Sequence, residues 1–281
     1  MTGNSGFIGR HLHAHLEKKG HTVIGFSIED GELAEAGALD EIGLVDYVYH
    51  LAGRTVVSES WTKVHEYYNT NVMGTESVLE YCRRYSVPLF FMSTYVYGTP
   101  QYLPVDEKHP IFAVSPYHHS KILGESLCRF YAENFGVSVI IFRAFNVFGN
   151  GQAATSLVPF VLESCLDDRK DTVEVMDLSP KRDFIYINDV VEAMERALYA
   201  TKGYRVLNIG SGVSISVEEV IKIIMKVTGK KKPITEKKQV RKNEIDDCIA
   251  DIRYAREVLS FSPRYTFYEG MENWVKGLRT N

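Results

Sequence analysis

The sequence predicts an α/β protein: a doubly wound, mainly parallel sheet followed by a smaller C-terminal α/β lobe. Three observations lead there. Strand-length apolar runs alternate with helix-length segments from the start of the chain. A glycine-rich turn, Gly3-Asn4-Ser5-Gly6-Phe7-Ile8-Gly9, opens directly into the first helical segment. The texture of the chain then changes after about Asn146.

Taken in order, residues 9–19 have helical spacing and stop at Gly20, and His21 to Phe26 reads as a short strand. Val45 to Leu51 is a second strand, rich in Val, Tyr and Leu. Val64 to Tyr85 keeps helical periodicity for about six turns. Pro88 to Ser93 is a buried strand, Tyr117 to Phe135 a long helix, and Val137 to Arg143 a further strand. Strands separated by helices of this length imply βαβ units with right-handed crossovers. Beyond the Gly149-Asn150-Gly151 loop, helices are expected at 157–166, 188–200 and 217–228, the last ending at Gly229, with a strand at 206–209. Residues 1–145 form the expected first domain, with 183–206 returning to it, and 146–281 mainly the second. One feature breaks the pattern. A turn of this glycine-rich kind follows a strand, and Met1-Thr2-Gly3 leaves no room for one, so the first strand is expected to be missing or truncated.

The bulk numbers exclude several classes. The 281 residues are 45% apolar and 24% charged, which rules out a disordered, collagen-like or coiled-coil chain. The formal net charge of −4 argues against general nucleic-acid binding. No run approaches the roughly 18 apolar residues of a membrane span, and the start lacks the pattern of a signal peptide. Cys82, Cys128, Cys165 and Cys248 are widely spaced and read as reduced thiols of a cytoplasmic protein. The basic stretch from Lys222 to Lys242 reads as a solvated face. His11, His13 and His15 lack neighbouring acidic or Cys ligands, so no metal site is expected.

The glycine turn carries the first chemistry. Glycine serves where the backbone turns with positive φ and where a pyrophosphate approaches closely, and the helix N-terminus adds N–H groups and a partial positive charge. In dinucleotide folds an acid about 20 residues on, at the end of the next strand, selects NAD. Here that position is Ser27, with Glu29 and Asp30 just beyond, so NAD is slightly favoured and NADP stays open. The second signal is Tyr117-His118-His119-Ser120-Lys121, which sets a phenol and an ammonium four residues apart on one helical face. The ammonium is expected to lower the phenol pKa from its ordinary ~10 and make Tyr117 a general acid/base. The strand ending at Ser93 and Thr94 brings a hydroxyl that can bond the substrate oxygen.

With these motifs in order, the chain resembles the extended short-chain dehydrogenase/reductase family, the NAD-dependent epimerase/dehydratases of nucleotide sugars. The likeness runs through Thr2 to Gly9, His50-Leu51-Ala52-Gly53, Asn71 to Thr75, Ser93 to Gly98, Tyr117 to Lys121, Arg143 to Gly149, Arg182-Asp183-Phe184, Asn208-Ile209-Gly210 and Arg241 to Ile245. The resemblance implies a Rossmann-type sheet with a substrate-binding lobe. It makes Tyr117 the acid/base, Lys121 its partner and a ligand of the nicotinamide ribose, and Ser93 the catalytic hydroxyl with Thr94 beside it. It gives the cofactor Gly3, Ser5, Gly6, Phe7, Ile8, Gly9, Ser27, Leu51, Ala52, Gly53 and Asn71. It gives the substrate Ser93, Thr94, Asn146, Arg182, Arg241 and Glu244; the arginines suit a diphosphate because the guanidinium fork matches phosphate oxygens. It also implies a homodimer built from the 64–85 and 117–135 helices.

Departures narrow the chemistry. The family's 4,6-dehydratases carry an Asp-Glu pair where this chain has Thr94 and Tyr95, so dehydration loses ground. The expected activity is epimerisation at C4 of a nucleotide sugar, a UDP-sugar above all, through a transient keto intermediate. An NADPH-dependent reductase of a 4-keto-6-deoxy nucleotide sugar is the second reading, and a non-catalytic dinucleotide sensor the third.

Overall fold

Apolar side chains on both faces of adjacent strands mark the centre of the molecule. In the computed structural model, described for residues 1–35, 37–238 and 245–279, the first half of the chain runs α1 (Phe7–Lys18), β1 (Val48–His50), α2 (Val64–Tyr68), α3 (Gly74–Tyr85), β2 (Leu89–Thr94), α4 (Pro116–Phe135) and β3 (Val139–Ala144). The second half runs β4 (Asn146–Phe148), α5 (Leu157–Leu166), β5 (Val173–Val175), β6 (Lys181–Tyr186), α6 (Ile187–Ala200), β7 (Tyr204–Ile209), β8 (Ser214–Ser216), α7 (Val217–Thr228), β9 (Ile234–Glu236), β10 (Asp247–Cys248), α8 (Arg253–Leu259) and α9 (Phe267–Arg279).

The main sheet is parallel, in the order β1-β2-β3-β7. Its pleat divides the core in two. Phe90, Met92, Ile140 and Phe142 pack with Leu12 of α1, Val190 and Met194 of α6 and Ile221 of α7. Leu89, Phe91, Val139 and Ile141 face the other way, onto Val78, Leu79 and Cys82 of α3 and Cys128 of α4. Burial on both faces is why these strands read as continuous apolar runs. A second sheet, in the order β10-β6-β4 with β8 antiparallel to β6, and the small β5-β9 pair make up the C-terminal part. The segment that returns to the first sheet extends past residue 206 to Ile209, since β7 pairs with β3 over its full length and α6 packs on α1.

Two expectations are corrected here. Residues 21–26 do not form a ladder strand. Among the described residues Phe26 is the one position of this run that forms a bridge, to Thr2, and Thr2 stands between Phe26 on one side and His50 on the other. The 64–85 segment is not one uniform α-helix. Residues 69–73 widen into a π turn between α2 and α3.

Candidate functional site

The glycine turn lies at the C-terminal edge of the main sheet, and each glycine has its own reason. Gly3 has φ +71°, and a Cβ there would meet Ala52 N at 2.7 Å. A Cβ at Gly9 would meet Gly3 O at 2.1 Å, so the helix could not seat against the turn. Gly6, the N-cap of α1, is exposed with Ser5 and meets only Gly3 O at 3.2 Å. The first turn of α1 has no side-chain cap and no acid, so its N-terminal N–H groups and partial positive charge face the open side of the turn. Phe7 and Ile8 are partly buried against the core.

Beside the turn, the Asp30 carboxylate folds back onto Ser27, accepting from Ser27 N at 2.7 Å and from Ser27 Oγ at 3.0 Å. Asn4 lies over Gly25, whose missing side chain makes room for the amide, and Asn4 Oδ1 is buried without a partner.

Below the turn, His50 is fully enclosed between Thr2 and Thr75, and Thr2 Oγ1 also accepts from Ala52 N. Leu51 N donates to Thr2 O, which keeps the 51–53 segment against the turn. Gly53 then passes close to two side chains: a Cβ there would lie 3.0 Å from Asn71 Oδ1 and 3.5 Å from Lys121 Nζ. Asn71 sits in the π turn, a feature that recurs at functional sites. Its amide accepts from Arg54 N and donates to Arg54 O and to Ser120 Oγ. One buried side chain thus joins the 51–54 loop to α4. Ser120 was not singled out in the sequence, although it stands inside the Tyr117–Lys121 motif.

Helix α4 begins at Ser115, whose Oγ accepts from His118 N, with Pro116 in the first helical position. This start aims Tyr117 and Lys121 at the end of β2. Both are buried. Lys121 Nζ donates to Met92 O at 2.8 Å and lies 4.9 Å from the Phe91 ring centre. Burial draws its pKa down to about 8. The lowering of the Tyr117 pKa expected from Lys121 is not what the fold shows. Burial pushes the phenol up to about 12, opposed by a hydrogen bond with Thr94, while the Lys121 ammonium is engaged with the Met92 carbonyl. Ser93 points elsewhere, its hydroxyl donating to Glu125 Oε1 at 2.5 Å.

Across the second sheet, Asn146 Nδ2 donates to Asp183 O at 3.0 Å, and Arg182 Nη1 donates to the carbonyls of Lys181 and Ile245. Arg241 and Glu244 lie outside the described residues. Asp183, unremarked in the sequence beyond its place beside Arg182, is fully buried and accepts from Ser211 N, Ser211 Oγ, Gly212 N and Ala250 N. It ties the ends of β6 and β7 and the segment after β10 into one corner.

Among the described residues no cluster of His, Cys, Asp or Glu could hold a metal ion, and no helix is long and apolar enough to cross a membrane. The basic stretch has acidic partners at Lys222–Glu218, Lys230–Asp168 and Lys237–Glu174. Trp61 is exposed.

Residues 1–210 match the model of the NAD dependent epimerase/dehydratase family. The chain is 30% identical, over 98% of its length and 97% of the relative's, to a putative UDP-glucose 4-epimerase of Methanocaldococcus jannaschii. Among solved structures it is similar to MoeE5 in complex with UDP-glucose and NAD, with a TM-score of 0.91, 29% identity and coverage of 99% of this chain and 97% of that one. It is also similar to UDP-glucose 4-epimerase with UDP-glucose from Thermotoga maritima, with a TM-score of 0.91, 28% identity and coverage of 99% and 97%.

Proposed function

The chain belongs to the NAD-dependent epimerase/dehydratase family, and on that premise we propose that it is an NAD-dependent nucleotide-sugar epimerase that inverts C4 of a UDP-sugar. The observation that carries this reading is the grouping of Tyr117, Lys121 and a hydroxyl-bearing strand end beside the glycine turn, with Thr94 and Tyr95 where a dehydratase needs two carboxyl groups. One proton carrier suffices for oxidation and reduction at the same carbon; removal of a C5 proton together with loss of a hydroxyl does not fit this set.

The residues fit a dinucleotide. The open side of Gly6 and the uncapped α1 N-terminus suit a pyrophosphate, and the bare Cα of Gly53 leaves space beside Lys121 for a ribose. Asp30, seated on Ser27, suits the ribose hydroxyls of NAD and would repel a 2′-phosphate, which favours NAD over NADP. A dinucleotide held by the glycine turn, Gly53 and Lys121 would supply a reversible hydride acceptor beside the sugar carbon and a positive charge that favours the Tyr117 phenolate. Tyr117 then takes and returns the hydroxyl proton, and Lys121 holds the ribose and the local positive charge. On the sugar-nucleotide side, Asn146, Arg182, Arg241 and Glu244 are assigned to the diphosphate and nucleotide ribose, mainly from the 146–281 part. Exposed Met73, Tyr85, Phe130 and Phe135, on the α3 and α4 side, supply apolar surface for a homodimer.

The test is incubation of the purified protein with UDP-glucose and no added cofactor, following UDP-galactose by NMR. Epimerisation supports the reading. Turnover only with added NADPH and a 4-keto-6-deoxy nucleotide sugar would replace it with the reductase reading.

A further inference from the structure

The turn that follows β4 crosses over to the start of α1. Gln152 N donates to Gly149 O at 3.2 Å, and Gly151, third in that turn, has φ +82°, a value that favours glycine. Two neighbouring side chains of α1 fasten it. Arg10 Nη2 donates to Gly151 O at 2.5 Å, and His11 Nε2 lies 2.8 Å from Asn150 O. A carbonyl only accepts, so His11 carries its proton on Nε2 there. At its other end the turn is wedged in place. Gly149 is buried, and a Cβ on it would lie 2.4 Å from Ile187 Cγ2 and 3.7 Å from Phe7 Cζ. The turn therefore runs beside the first two turns of α1, from Phe7 to His11. Gly6 and Arg10 stand four residues apart on one helical face, and a long helical side chain lies back over the turn before it. Arg10 thus leans toward Gly6, where the N–H groups of α1 have no side-chain cap and no acid. Arg10 is exposed, and among the described residues it has no carboxylate partner. A cation this close to an uncapped helix N-terminus gains from an anion seated there.

We propose that the Gly149–Gln152 turn is a strap along the α1 side of the dinucleotide seat, that Arg10 and His11 are positioning residues that hold it there, and that unfastening it sets the rate at which NAD leaves. The inference rests on the epimerase reading. An epimerase removes and restores hydride through the same dinucleotide, so release between the two halves would strand a keto sugar. The fastening suits a gate. Both bonds go to main-chain carbonyls of exposed residues, so water can replace them and the strap can open with the core intact.

The experiment loads the full chain with radiolabelled NAD, chases it with excess unlabelled NAD and follows the label retained. It compares the parent with Arg10→Met, His11→Phe and the double variant, and records melting temperatures without NAD. His11→Phe keeps a ring against Phe7 and leaves Arg10 in place, so it removes the bond to the Asn150 carbonyl alone. Release is expected to quicken about fivefold in His11→Phe and about tenfold in Arg10→Met, with smaller changes in the association rate. Melting temperatures are expected to stay near the parent's, since both bonds lie at the surface. Hydrogen–deuterium exchange of residues 149–156 is expected to slow when NAD binds the parent and to slow far less in the double variant. Release from His11→Phe within about twofold of the parent overturns the strap, whether or not Arg10→Met is faster, because Arg10 would then act through its charge alone. Exchange of 149–156 that NAD leaves unchanged in the parent overturns it too. A parent chain that binds no NAD would instead defeat the epimerase reading itself.

Discussion

Thr2 Oγ1 and His50 Nδ1 lie 2.7 Å apart, and the other ring nitrogen of His50 lies 2.9 Å from Thr75 Oγ1. One imidazole therefore joins the glycine turn to α3 through β1. Burial, with the nearby Lys121 charge, draws its pKa down to about 3, and burial draws His118 down to about 4. Both rings are neutral in the folded state at pH 5, whereas in the unfolded chain they take up protons below about 6.5. The unfolded state then binds more protons, so their contribution to stability is complete above about pH 6.5 and falls as pH drops, by about 1.4 kcal/mol per pH unit for each ring until the folded pKa is reached. Urea unfolding at pH 7 and pH 5 should show this loss, and a His118→Asn variant should show a smaller difference between the two. An equal difference in parent and variant would refute the assignment of His118.

The two outer glycines of the turn and the middle one should fail in different ways. Gly9→Ala places a methyl 2.1 Å from Gly3 O and should unfold or strongly destabilise the protein. Gly6→Ala meets one atom at 3.2 Å and should fold, yet its methyl would stand on the open side of the turn. A loss of NAD binding of roughly tenfold or more is expected, about 1.4 kcal/mol or more, with a melting temperature near that of the parent. Titration calorimetry and thermal melting separate the two outcomes.

Asp30 should govern the choice of dinucleotide. Asp30→Ala removes the carboxylate that Ser27 N and Oγ hold at the edge of the turn. The ratio of NAD to NADP affinity should fall by about tenfold, the size of one charge-assisted contact of roughly 1.5 kcal/mol. An unchanged ratio would mean that the acid faces solvent rather than cofactor.

The Arg143–Glu125 pair is buried on both sides, with side-chain exposures of 8% and 5%. Arg143→Met leaves Glu125 without its counter-charge and should cost about 3–5 kcal/mol. Adding Glu125→Gln should recover part of that loss, because the unpaired charge is then gone. Chemical denaturation of the single and double variants would show whether the recovery occurs.

Much of this architecture is legible in the sequence. Residues 157–166 and 217–228 form helices with the expected bounds, the second because Ser216 and Glu219 make a capping box and Gly229 ends it in the left-handed region. Residues 21–26 misled because a strand needs a partner, and pairing is a property of the neighbours rather than of a β-rich run. Lys181–Tyr186 was missed because it begins with two cations and has no clean alternation. At the site, Tyr117 and Lys121 share one helix, so their spacing alone brings them to the same face. The pKa of Tyr117 departs from expectation because the fold buries the phenol, which raises it, while the Lys121 ammonium turns to the Met92 carbonyl, 29 residues away in sequence. The partner of the Ser93 hydroxyl is hidden for the same kind of reason, since Glu125 lies 32 residues further along. Asp30 was visible as an acid near Ser27, but only the turn that folds it back onto Ser27 gives it a role.

The last strand of the main sheet, β7, arrives some sixty residues after its neighbour β3 and pairs with it from Val139 to Ala144. The chain therefore cannot be divided at residue 145 into two pieces that each fold. A fragment ending there would carry Ile140, Ile141 and Phe142 on an unpaired edge, the kind of surface that recruits other chains and aggregates. During synthesis the same edge stays open until Tyr204–Ile209 has left the ribosome, so the nascent protein passes through a stretch of elongation in which chaperone capture competes with completion of the sheet.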